Sequence, residues 1–271
     1  MRKLTLGEYK AVVRDVLFKI DDICRENGLT YYLHAGTLLG AIRHKGYIPW
    51  DDDIDIAMYR SDYDRLAEII RGGEFGLNFL RIEESPDTIY AYGKVCDTST
   101  KLLEKNFRMP DGYGAFVDVF PLDYAPDDFR EQERLRVKFE RRLKLITHSA
   151  RTGYERSENP LVSMERWLAF WAAKPFSTQR LVRKLNEDLR NAEPIPTNTV
   201  GVLWARSYPK TCFGKPALVE FEGRGLMGPT DADTVLRIEY GDYMQLPPME
   251  ERVCRHQLEC YMKKDELDAR A

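Results

Sequence analysis

The spacing of apolar residues in the first part of the chain alternates between a helical and a strand period. Apolar side chains recur every three or four residues from Leu6 to Glu26, which predicts a long amphipathic helix that stops at Gly28. The next predicted elements are a strand at 29–36, a short helix at 37–46, a strand at 52–58 and a helix from about Ser61 to Gly72. The predicted order is therefore helix, strand, helix, strand, helix.

Four further segments up to residue 125 are rich in β-branched and aromatic residues and are separated by turn residues. They read LNFLRIEE, TIYAYGKVCD, TKLLEKNF and YGAFVDVFPLD, and each is predicted to form a strand. Together with the helices, these strands predict an α+β fold, in which residues 1–126 form a mixed β-sheet flanked by helices.

The apolar pattern changes after residue 126. From Asp127 to Arg190, long charged stretches carry leucine, valine and phenylalanine at helical spacing, which predicts a helical insertion or subdomain at 127–199. Its end is a proline-punctuated linker at 192–199. The C-terminal part, 200–271, is expected to complete the active site, with strands or ordered loops at 200–206 and 217–223 and a final helical part from Asp231 to about Leu267.

The composition argues against several classes of partner and compartment. The chain has 41 basic and 44 acidic residues and no polybasic tail, so we expect no nucleic-acid partner. Its five cysteines form no CxxC pair, which fits reduced thiols in a cytoplasm and argues against structural zinc. The charged, amphipathic N-terminus lacks the apolar region of a signal peptide. We therefore expect a cytoplasmic protein, whose oligomeric state the sequence does not indicate.

The most apolar run, WLAFWAAKPF at 167–176, is much shorter than the roughly 20 residues of a membrane span. Two interpretations stay open for this run. It forms either a buried helix of the helical part, or an interfacial helix that touches a membrane together with the basic stretch from Arg134 to Lys144. In the second case the protein would be peripheral at the inner face of the cell membrane.

Negative charge is concentrated in the stretch IPWDDDIDIAMYRSDY, residues 48–63, where four aspartates fall within five positions. In an extended chain, Asp53 and Asp55 project to one face while Ile54 and Ile56 enter the core. The two aspartate Cα atoms are then about 7 Å apart, so both carboxylates can bind one hard cation and leave positions for phosphate oxygens. We expect one or two Mg²⁺ ions, with Mn²⁺ as the alternative.

A third carboxylate is expected from a neighbouring strand. Asp118 is a lone charge in the apolar segment GAFVDVFPLD and is the first choice as metal ligand, with Asp123 as the fallback. The alternative for Asp118 is a structural role at a strand end, where its carboxylate binds backbone amides. For the acidic stretch, the alternatives are a solvated turn and an EF-hand calcium loop, which Ile56 disfavours because that loop needs glycine there.

A metal-bound phosphate also needs hydrogen-bond donors, and the segment HAGTLLGAIRHKG just upstream contains candidates. Gly36 would let a ligand approach the backbone, Thr37 is predicted to cap a helix, and the N–H groups of Thr37 and Leu38 are expected to face an anion. The basic candidates are Arg43, His44 and Lys45, for which ordinary solvated surface charge is the alternative.

These residues form part of a longer run, GTLLGAIRHKGYIPWDDDIDIAM, that closely resembles the signature of the LicD family of phosphotransferases. This family lies within the nucleotidyltransferase superfold and includes the fukutin-related proteins. Four later blocks, GKVCDTSTKL, GAFVDVFPLD, LVEFEG and IEYGDYMQLPPMEERVCRH, resemble the same family in the same order. The resemblance implies a nucleotidyltransferase-like fold with a phosphate turn at Gly36 and Thr37 and a metal site formed by Asp53, Asp55 and Asp118. Further matching positions are Asp51, Asp52, Lys94, Thr100, Tyr240, Gly241, Asp242, Pro247, Pro248 and His256.

The resemblance implies transfer of a phosphorylated alcohol, such as phosphocholine, from a CDP-linked donor to a hydroxyl of a cell-surface glycan or its lipid-linked precursor. CMP would be the leaving group. Such a reaction depends mainly on charge neutralisation and positioning, which an acidic metal site supplies. Asp118 and Asp52 are the candidates for the general base. The residues assigned to donor and phosphate binding are Gly36, Thr37, Arg43, His44, Lys45, Lys94, Tyr240, Asp242 and His256.

Two other functions stay open at this point. The same turn and carboxylates would serve a nucleotidyltransferase that adds a nucleoside monophosphate from an NTP to a small molecule or sugar. A nucleotide-binding or glycan-binding module without catalysis is the third hypothesis. The sequence does not indicate which alcohol phosphate is transferred or which glycan accepts it. Candidates for an aromatic cage around choline are Tyr31, Tyr32, Trp50, Tyr92, Tyr113, Tyr240 and Tyr243.

Overall fold

The structure is a computed structural model that describes residues 1–84, 88–154, 156–191, 196–254 and 258–263. In chain order, its strands are β1 (Arg2–Lys3), β2 (Tyr32–Leu33), β3 (Asp55–Tyr59), β4 (Leu77–Leu80), β5 (Gly93–Asp97), β6 (Thr100–Glu104), β7 (Phe116–Ala125), β8 (Thr199–Gly201), β9 (Ser207–Pro209), β10 (Ala217–Phe221), β11 (Arg224–Gly228) and β12 (Leu258–Met262). Its α-helices are α1 (Leu6–Asn27), α2 (Ala35–His44), α3 (Arg60–Gly72), α4 (Phe129–Ala150), α5 (Pro160–Ala173), α6 (Thr178–Arg190) and α7 (Ala232–Tyr240). Short 3-10 helices lie at Lys210–Phe213 and Met249–Glu251.

The first helix follows its sequence pattern closely. α1 begins after Thr5, whose hydroxyl accepts the N–H of Glu8 while the Glu8 carboxylate accepts the N–H of Thr5. The helix ends at Gly28, whose φ of 65° suits glycine. Val13 and Ile20 belong to a stripe that is buried against the strands β5 and β7. The prediction of this helix is confirmed.

A mixed sheet with the strand order β2-β3-β7-β5-β4 forms the centre of the protein. β3 and β7 run parallel, and the other pairs in this order run antiparallel. Ile54 and Ile56 beside the acidic stretch, and Val117 and Val119 of β7, are completely buried in the core. α1 and α3 pack on the sheet. The prediction of an α+β fold, with a mixed sheet flanked by helices, is confirmed.

The helices α4, α5 and α6 lie between β7 and β8, where the sequence predicts a helical part. Phe139 and Ile146 of α4 and Leu185 and Leu189 of α6 are buried in a second apolar cluster. β8 then pairs with β7, which returns the chain to the sheet. Among the helices that the structure describes, none combines the length and the apolar character needed to cross a bilayer. The division of the chain into three segments stays a prediction.

The C-terminal part differs from the predicted long helical segment. α7 ends one residue before Gly241, which has a φ of 68°, and the prolines at 247–248 cannot continue a helix. β12 instead pairs with β6 and β1, and Cys260 and Met262 are buried at strand spacing. The helical prediction was therefore wrong beyond α7. Residues 264–271 lie outside the described residues.

A buried ion pair fastens α3 to β7. Arg60, the first residue of α3, donates from Nε to Oδ1 of Asp123 at 2.9 Å and from Nη2 to Oδ2 at 2.5 Å. Asp123 is only 2% exposed, and both of its carboxylate oxygens accept hydrogen bonds from the guanidinium. In this structure Asp123 therefore serves the fold, which argues against its fallback role as a metal ligand.

We predict that Asp123→Asn lowers the free energy of unfolding by about 3 kcal/mol, because Asp123 is the anion to which Arg60 hydrogen-bonds, and Glu83, 3.7 Å from Nη1, compensates the guanidinium charge only partly. Urea unfolding monitored by circular dichroism measures this change. Asp15→Asn is the matched control, since it removes an exposed ion pair with Arg14 and should cost about 1 kcal/mol or less. Equal effects of the two substitutions would contradict the structural role of Asp123.

Candidate active site

Three polar side chains lie side by side on three neighbouring strands of the central sheet. Asp55 of β3 is opposite Asp118 of β7, and Asp118 is opposite Lys94 of β5. The Lys94 ammonium donates a hydrogen bond to Oδ1 of Asp118 at 2.7 Å. All three residues are buried, with no more than 9% of any of them exposed. The sheet register thus brings together two predicted metal ligands and one residue assigned to donor binding.

The start of α2 lies against Asp55. The Asp55 N–H donates to Oγ1 of Thr37 at 2.7 Å, and the Asp55 carbonyl accepts the N–H of His34 at 3.0 Å. His34 occupies the N-cap position, so the prediction that Thr37 caps this helix was wrong. The N–H of Leu38 donates to the His34 carbonyl at 3.0 Å, and it is therefore not available to an anion as predicted.

Gly36 lies beside the acidic stretch. A Cβ atom at this position would be 2.8 Å from Oδ2 of Asp51, which is closer than side chains normally approach. The absence of a side chain therefore lets the Asp51 carboxylate reach the first turn of α2, where the helix dipole favours negative charge. Contact between Gly36 and a ligand phosphate stays a prediction.

Asp51, Asp52 and Asp53 form an acidic turn that precedes β3. One carboxylate oxygen of each lies within 4.8 Å of the others, and Asp52 is only 4% exposed. The regular strand begins at Asp55, three residues later than the predicted start. Of the three residues proposed to bind a metal, Asp53 therefore belongs to the turn, and Asp55 and Asp118 belong to the sheet. Closely spaced carboxylates are the hard oxygen ligands that Mg²⁺ prefers.

Burial and repulsion between carboxylates raise the pKa values of Asp55 and Asp51. Burial raises the pKa of Asp55 well above its ordinary value, and the charges of Asp53 and Asp118 raise it further. Burial and the neighbouring Asp53 raise the pKa of Asp51 to about 7. Lys94 acts in the opposite direction on Asp55. The cluster thus holds more negative charge than its protein surroundings compensate, and a bound cation would relieve the repulsion.

Aromatic rings enclose the ammonium of Lys94. Its Nζ atom lies 3.6 Å from the ring centre of Phe116, 4.4 Å from that of Tyr90 and 5.1 Å from that of Tyr92. Cation–π attraction and burial restrict the ammonium to a position from which it can orient Asp118. Direct contact of Lys94 with a donor phosphate stays a prediction.

A cleft of about 580 Å³ opens beside the acidic turn. Trp50 and Asp51 line one side, and Tyr240 and Asp242 line the other. Partial burial of Tyr240 raises the pKa of its hydroxyl, and the charges of Glu239, Asp55, Asp51 and Asp53 raise it further. The cleft therefore joins the carboxylates to the C-terminal block that the sequence assigns to donor binding.

Arg43 connects α2 to the C-terminal block. Its Nη1 donates to the carbonyl oxygen of Tyr243 at 2.8 Å, and its Nε donates to Nε2 of His44 at 3.0 Å. His44 packs edge-on against Trp50, with ring centres 6.3 Å apart. Arg43 thus lines the cleft and His44 contacts its wall residue Trp50, whereas Lys45 is exposed at the C-cap of α2.

The aromatic candidates for a choline cage divide between the cleft and the core. Trp50, Tyr240 and Tyr243 line the cleft, whereas Tyr31 and Tyr32 are buried among other core residues. Periodicity could not have found the cleft, because its walls come from segments almost 200 residues apart in the chain. The order of the family-like blocks was the one signal that connected them. The predicted donor-binding residue His256 lies outside the described residues.

The calcium-loop alternative for the acidic stretch was wrong. Residues 55–59 form β3, where such a loop would turn sharply around its ion. Asp62, at the last position of that loop, lies in α3, and its Oδ2 accepts the N–H of Thr30 at 3.1 Å. The Asp62 carboxylate thus binds the backbone of the segment before β2.

Comparison with known proteins shows that the sequence is similar to transferases of phosphate-containing groups. Residues 28–142 match the family described as LicD/FKTN/FKRP, nucleotidyltransferase domain. The chain is 31% identical to the lipopolysaccharide cholinephosphotransferase LicD of Haemophilus influenzae over 277 aligned positions, which cover 97% of this chain and 100% of the relative. It is also 47% identical to the ribitol 5-phosphate transferase FKRP of Homo sapiens over 49 positions, 18% of this chain and 10% of that relative.

We predict that removal of divalent cations makes the stability of the protein fall with rising pH. Because the folded state binds protons on Asp51 and Asp55 that the unfolded chain releases near pH 4, the free energy of unfolding should decrease as the pH rises towards 7. Between pH 5 and pH 7.5 we expect a loss on the order of 2 kcal/mol in EDTA, measured by urea unfolding.

Asp51→Asn tests the origin of this pH dependence, because it removes one titrating group and one source of repulsion. Its stability should fall less steeply over the same pH interval, whereas Asp15→Asn, at the exposed ion pair with Arg14, should keep the original slope. Addition of Mg²⁺ at pH 7.5 should recover part of the lost stability. If the unaltered protein, Asp51→Asn and Asp15→Asn all show the same dependence of stability on pH, the assignment of this dependence to Asp51 would be contradicted.

Proposed function

This chain belongs to the LicD family of transferases of phosphate-containing groups, and we propose that it transfers a phosphorylated alcohol from a CDP-linked donor to a glycan hydroxyl, with release of CMP. Phosphocholine is the first candidate for the transferred group. The observation that carries the proposal is the alignment of Asp55, Asp118 and Lys94 on adjacent strands, beside an acidic turn and a cleft. Phosphoryl transfer depends on such positioning and charge compensation.

Mg²⁺ is the proposed cofactor, held by Asp53, Asp55 and Asp118, and Mn²⁺ is the alternative. The proposed metal ligands support this choice, because all three are carboxylates and none is a cysteine or a histidine. When bound, the ion would neutralise charge on the phosphate oxygens of the donor. Lys94 orients Asp118 through its hydrogen bond, so that Asp118 keeps its place at the edge of the cluster.

The acceptor hydroxyl must lose a proton during transfer, and we assign this proton to a carboxylate of the acidic cluster. Asp52 and Asp118 are the candidates. Asp118 already accepts a hydrogen bond from Lys94 on Oδ1, so its second oxygen would have to serve both the metal and the proton. Asp52, which the proposed metal site does not use, is therefore the better candidate.

The cleft is the proposed site for the donor. Its volume of about 580 Å³ is in the range of small-molecule sites. Trp50, Tyr240 and Tyr243 supply aromatic surfaces, and Asp242 and Glu251 supply negative charge, a combination that attracts a quaternary ammonium.

The ring of Trp50 already attracts a cation within the protein, because the guanidinium carbon of Arg252 lies 5.4 Å from its ring centre. A choline group would therefore stack on the opposite face of this indole or displace Arg252. The cleft chemistry thus favours choline over an uncharged polyol as the end of the donor.

We predict that Asp53→Asn, Asp55→Asn and Asp118→Asn each lower kcat by at least about 10³-fold, because each removes charge from the site that compensates the reacting phosphate. Release of CMP from CDP-choline in the presence of Mg²⁺ and a glycan acceptor measures the effect. Asp15→Asn is the control and should retain full activity. Retention of normal turnover by folded Asp53→Asn and Asp55→Asn proteins would overturn the assigned site.

The same assay distinguishes the proposed reaction from nucleotidyl transfer. CDP-choline, CDP-ribitol and CTP are compared as donors, and CMP and pyrophosphate are measured as products. The proposal requires CMP from a CDP-linked alcohol. Pyrophosphate from CTP, with no reaction of the CDP-linked donors, would contradict it.

We predict that Trp50→Leu raises KM for CDP-choline about 10-fold, because loss of one aromatic surface weakens cation binding by on the order of 1–2 kcal/mol. KM for CDP-ribitol, if that donor reacts, should change less. Trp171→Leu is the matched control, because Trp171 lies on α5 and its side chain is 55% exposed. Equal changes in KM for both donors would contradict a cation site in the cleft.

A further inference from the structure

The charges of the chain are divided unevenly between the helical part and the rest. Residues 129–190, which contain α4, α5 and α6, hold fifteen of the 41 basic residues but only eight of the 44 acidic residues. The helical part is therefore strongly basic, whereas the remainder, which includes the acidic cluster, is strongly acidic. A near-neutral net charge conceals this division.

One face of α4 carries a basic stripe. Arg134, Lys138, Arg141 and Lys144 recur every three or four residues, and all four are exposed. The structure describes every residue of α4, and beyond the first turn of the helix these four are its exposed residues. We call this set the basic stripe.

The neighbouring helix α5 presents apolar side chains to solvent. Leu161, Met164, Trp167, Leu168 and Trp171 lie on one side of the helix and are between 44% and 70% exposed. The opposite side of α5 is also apolar, with Phe170 and Ala173 buried. We call the five exposed residues the apolar face. Because Trp167, Leu168, Trp171 and Phe176 are exposed, the interpretation of the run at 167–176 as a buried helix was wrong.

A helix that is apolar on both sides indicates an environment other than water on its outer side. α5 packs against α4, so the apolar face and the basic stripe belong to the same group of helices. Tryptophan side chains at the boundary between apolar and polar regions, with arginine and lysine nearby, are typical of helices that lie in a membrane interface.

We propose that α4 and α5 dock the protein onto an anionic lipid bilayer surface. Trp167, Trp171 and the other residues of the apolar face enter the interface, and the basic stripe attracts the negative headgroups. Charge favours a bilayer over a second copy of the chain, because a symmetric dimer through α5 brings two strongly basic helical parts together. A transferase that acts on a lipid-linked glycan would meet its acceptor at this surface.

Cosedimentation of the full chain with vesicles tests the proposal without any use of catalytic activity. We expect binding to vesicles of phosphatidylglycerol and phosphatidylethanolamine, and at least tenfold weaker binding to pure phosphatidylcholine. Binding should also weaken as the salt concentration rises, because headgroup attraction is screened. Failure to bind the anionic vesicles, or equal binding to both vesicle types, would overturn the proposal.

Two variants separate the contributions of the apolar face and the basic stripe. Trp167→Ser combined with Trp171→Ser, and the fourfold change of Arg134, Lys138, Arg141 and Lys144 to Gln, should each lower partition to anionic vesicles at least tenfold. Thermal unfolding establishes that both variants are folded. Binding that both variants retain in full would contradict the assignment of this surface.

Matched controls exclude general effects of hydrophobicity and net charge. Leu218→Ser combined with Met249→Ser changes two residues that are 71% and 72% exposed elsewhere. The fourfold change of Arg65, Lys101, Lys105 and Lys215 to Gln alters the net charge as much as the basic-stripe variant, at exposed positions outside the helices α4, α5 and α6. Both controls should bind like the unaltered protein, and a loss equal to that of the test variants would contradict site-specific docking.

Light scattering of the protein without vesicles tests whether the apolar face binds a second copy of the chain instead of a bilayer. We expect the same molar mass for the unaltered protein and for the Trp167→Ser, Trp171→Ser variant. A dimer that dissociates in this variant would identify a second copy of the chain, and not a bilayer, as the partner of the apolar face.

Discussion

Repulsion between carboxylates is the physical constraint on which the centre of this protein depends. Asp53, Asp118 and Asp51 all raise the pKa of Asp55, at a position where burial already disfavours a negative charge. Packing alone does not require this arrangement, since apolar residues would fill the same positions at lower cost. The Lys94 ammonium and the start of α2 compensate only part of the charge. The proposed cation would compensate the remaining negative charge, which phosphoryl transfer also requires.

Backbone pairing holds the carboxylates in place against their repulsion. The parallel register of β3 and β7 sets Asp55 opposite Asp118, and a shift of one residue would place Val119 or Val117 on the acidic side. The complete burial of both valines opposes such a shift. The hydrogen bond from the Asp55 N–H to the Thr37 hydroxyl then fixes α2 relative to the strand. The core thus fixes the positions of Asp55, Asp118 and the start of α2, beside which the acidic turn lies.

Local signals explain which parts could be predicted from the sequence. α1 has a capping box and a terminal glycine, and the strands beside the acidic stretch alternate clearly, so both were found. Thr37 was misassigned because α2 starts two residues before it, and its hydroxyl bonds to a strand distant in sequence. β12 was missed because its partner β6 is remote along the chain and the pairing leaves no local trace. The cleft likewise arises only when α7 packs near α2.

The basic helical part and the acidic remainder of the chain suit two different proposed partners, an anionic membrane and a cation. If the acidic turn binds a cation as proposed, further lysine or arginine side chains beside it would compete for the carboxylate oxygens, as Lys94 already does at Oδ1 of Asp118. A mainly acidic surface, however, is repelled by anionic headgroups within a Debye length of about 8–10 Å. The excess of basic residues lies instead in the helical part, residues 129–190, where α4 and α6 contribute to a second apolar cluster. The proposed attraction to lipid would thus act through the helical part while the proposed metal site keeps its negative charge, which gives a physical reason for two oppositely charged regions in one chain.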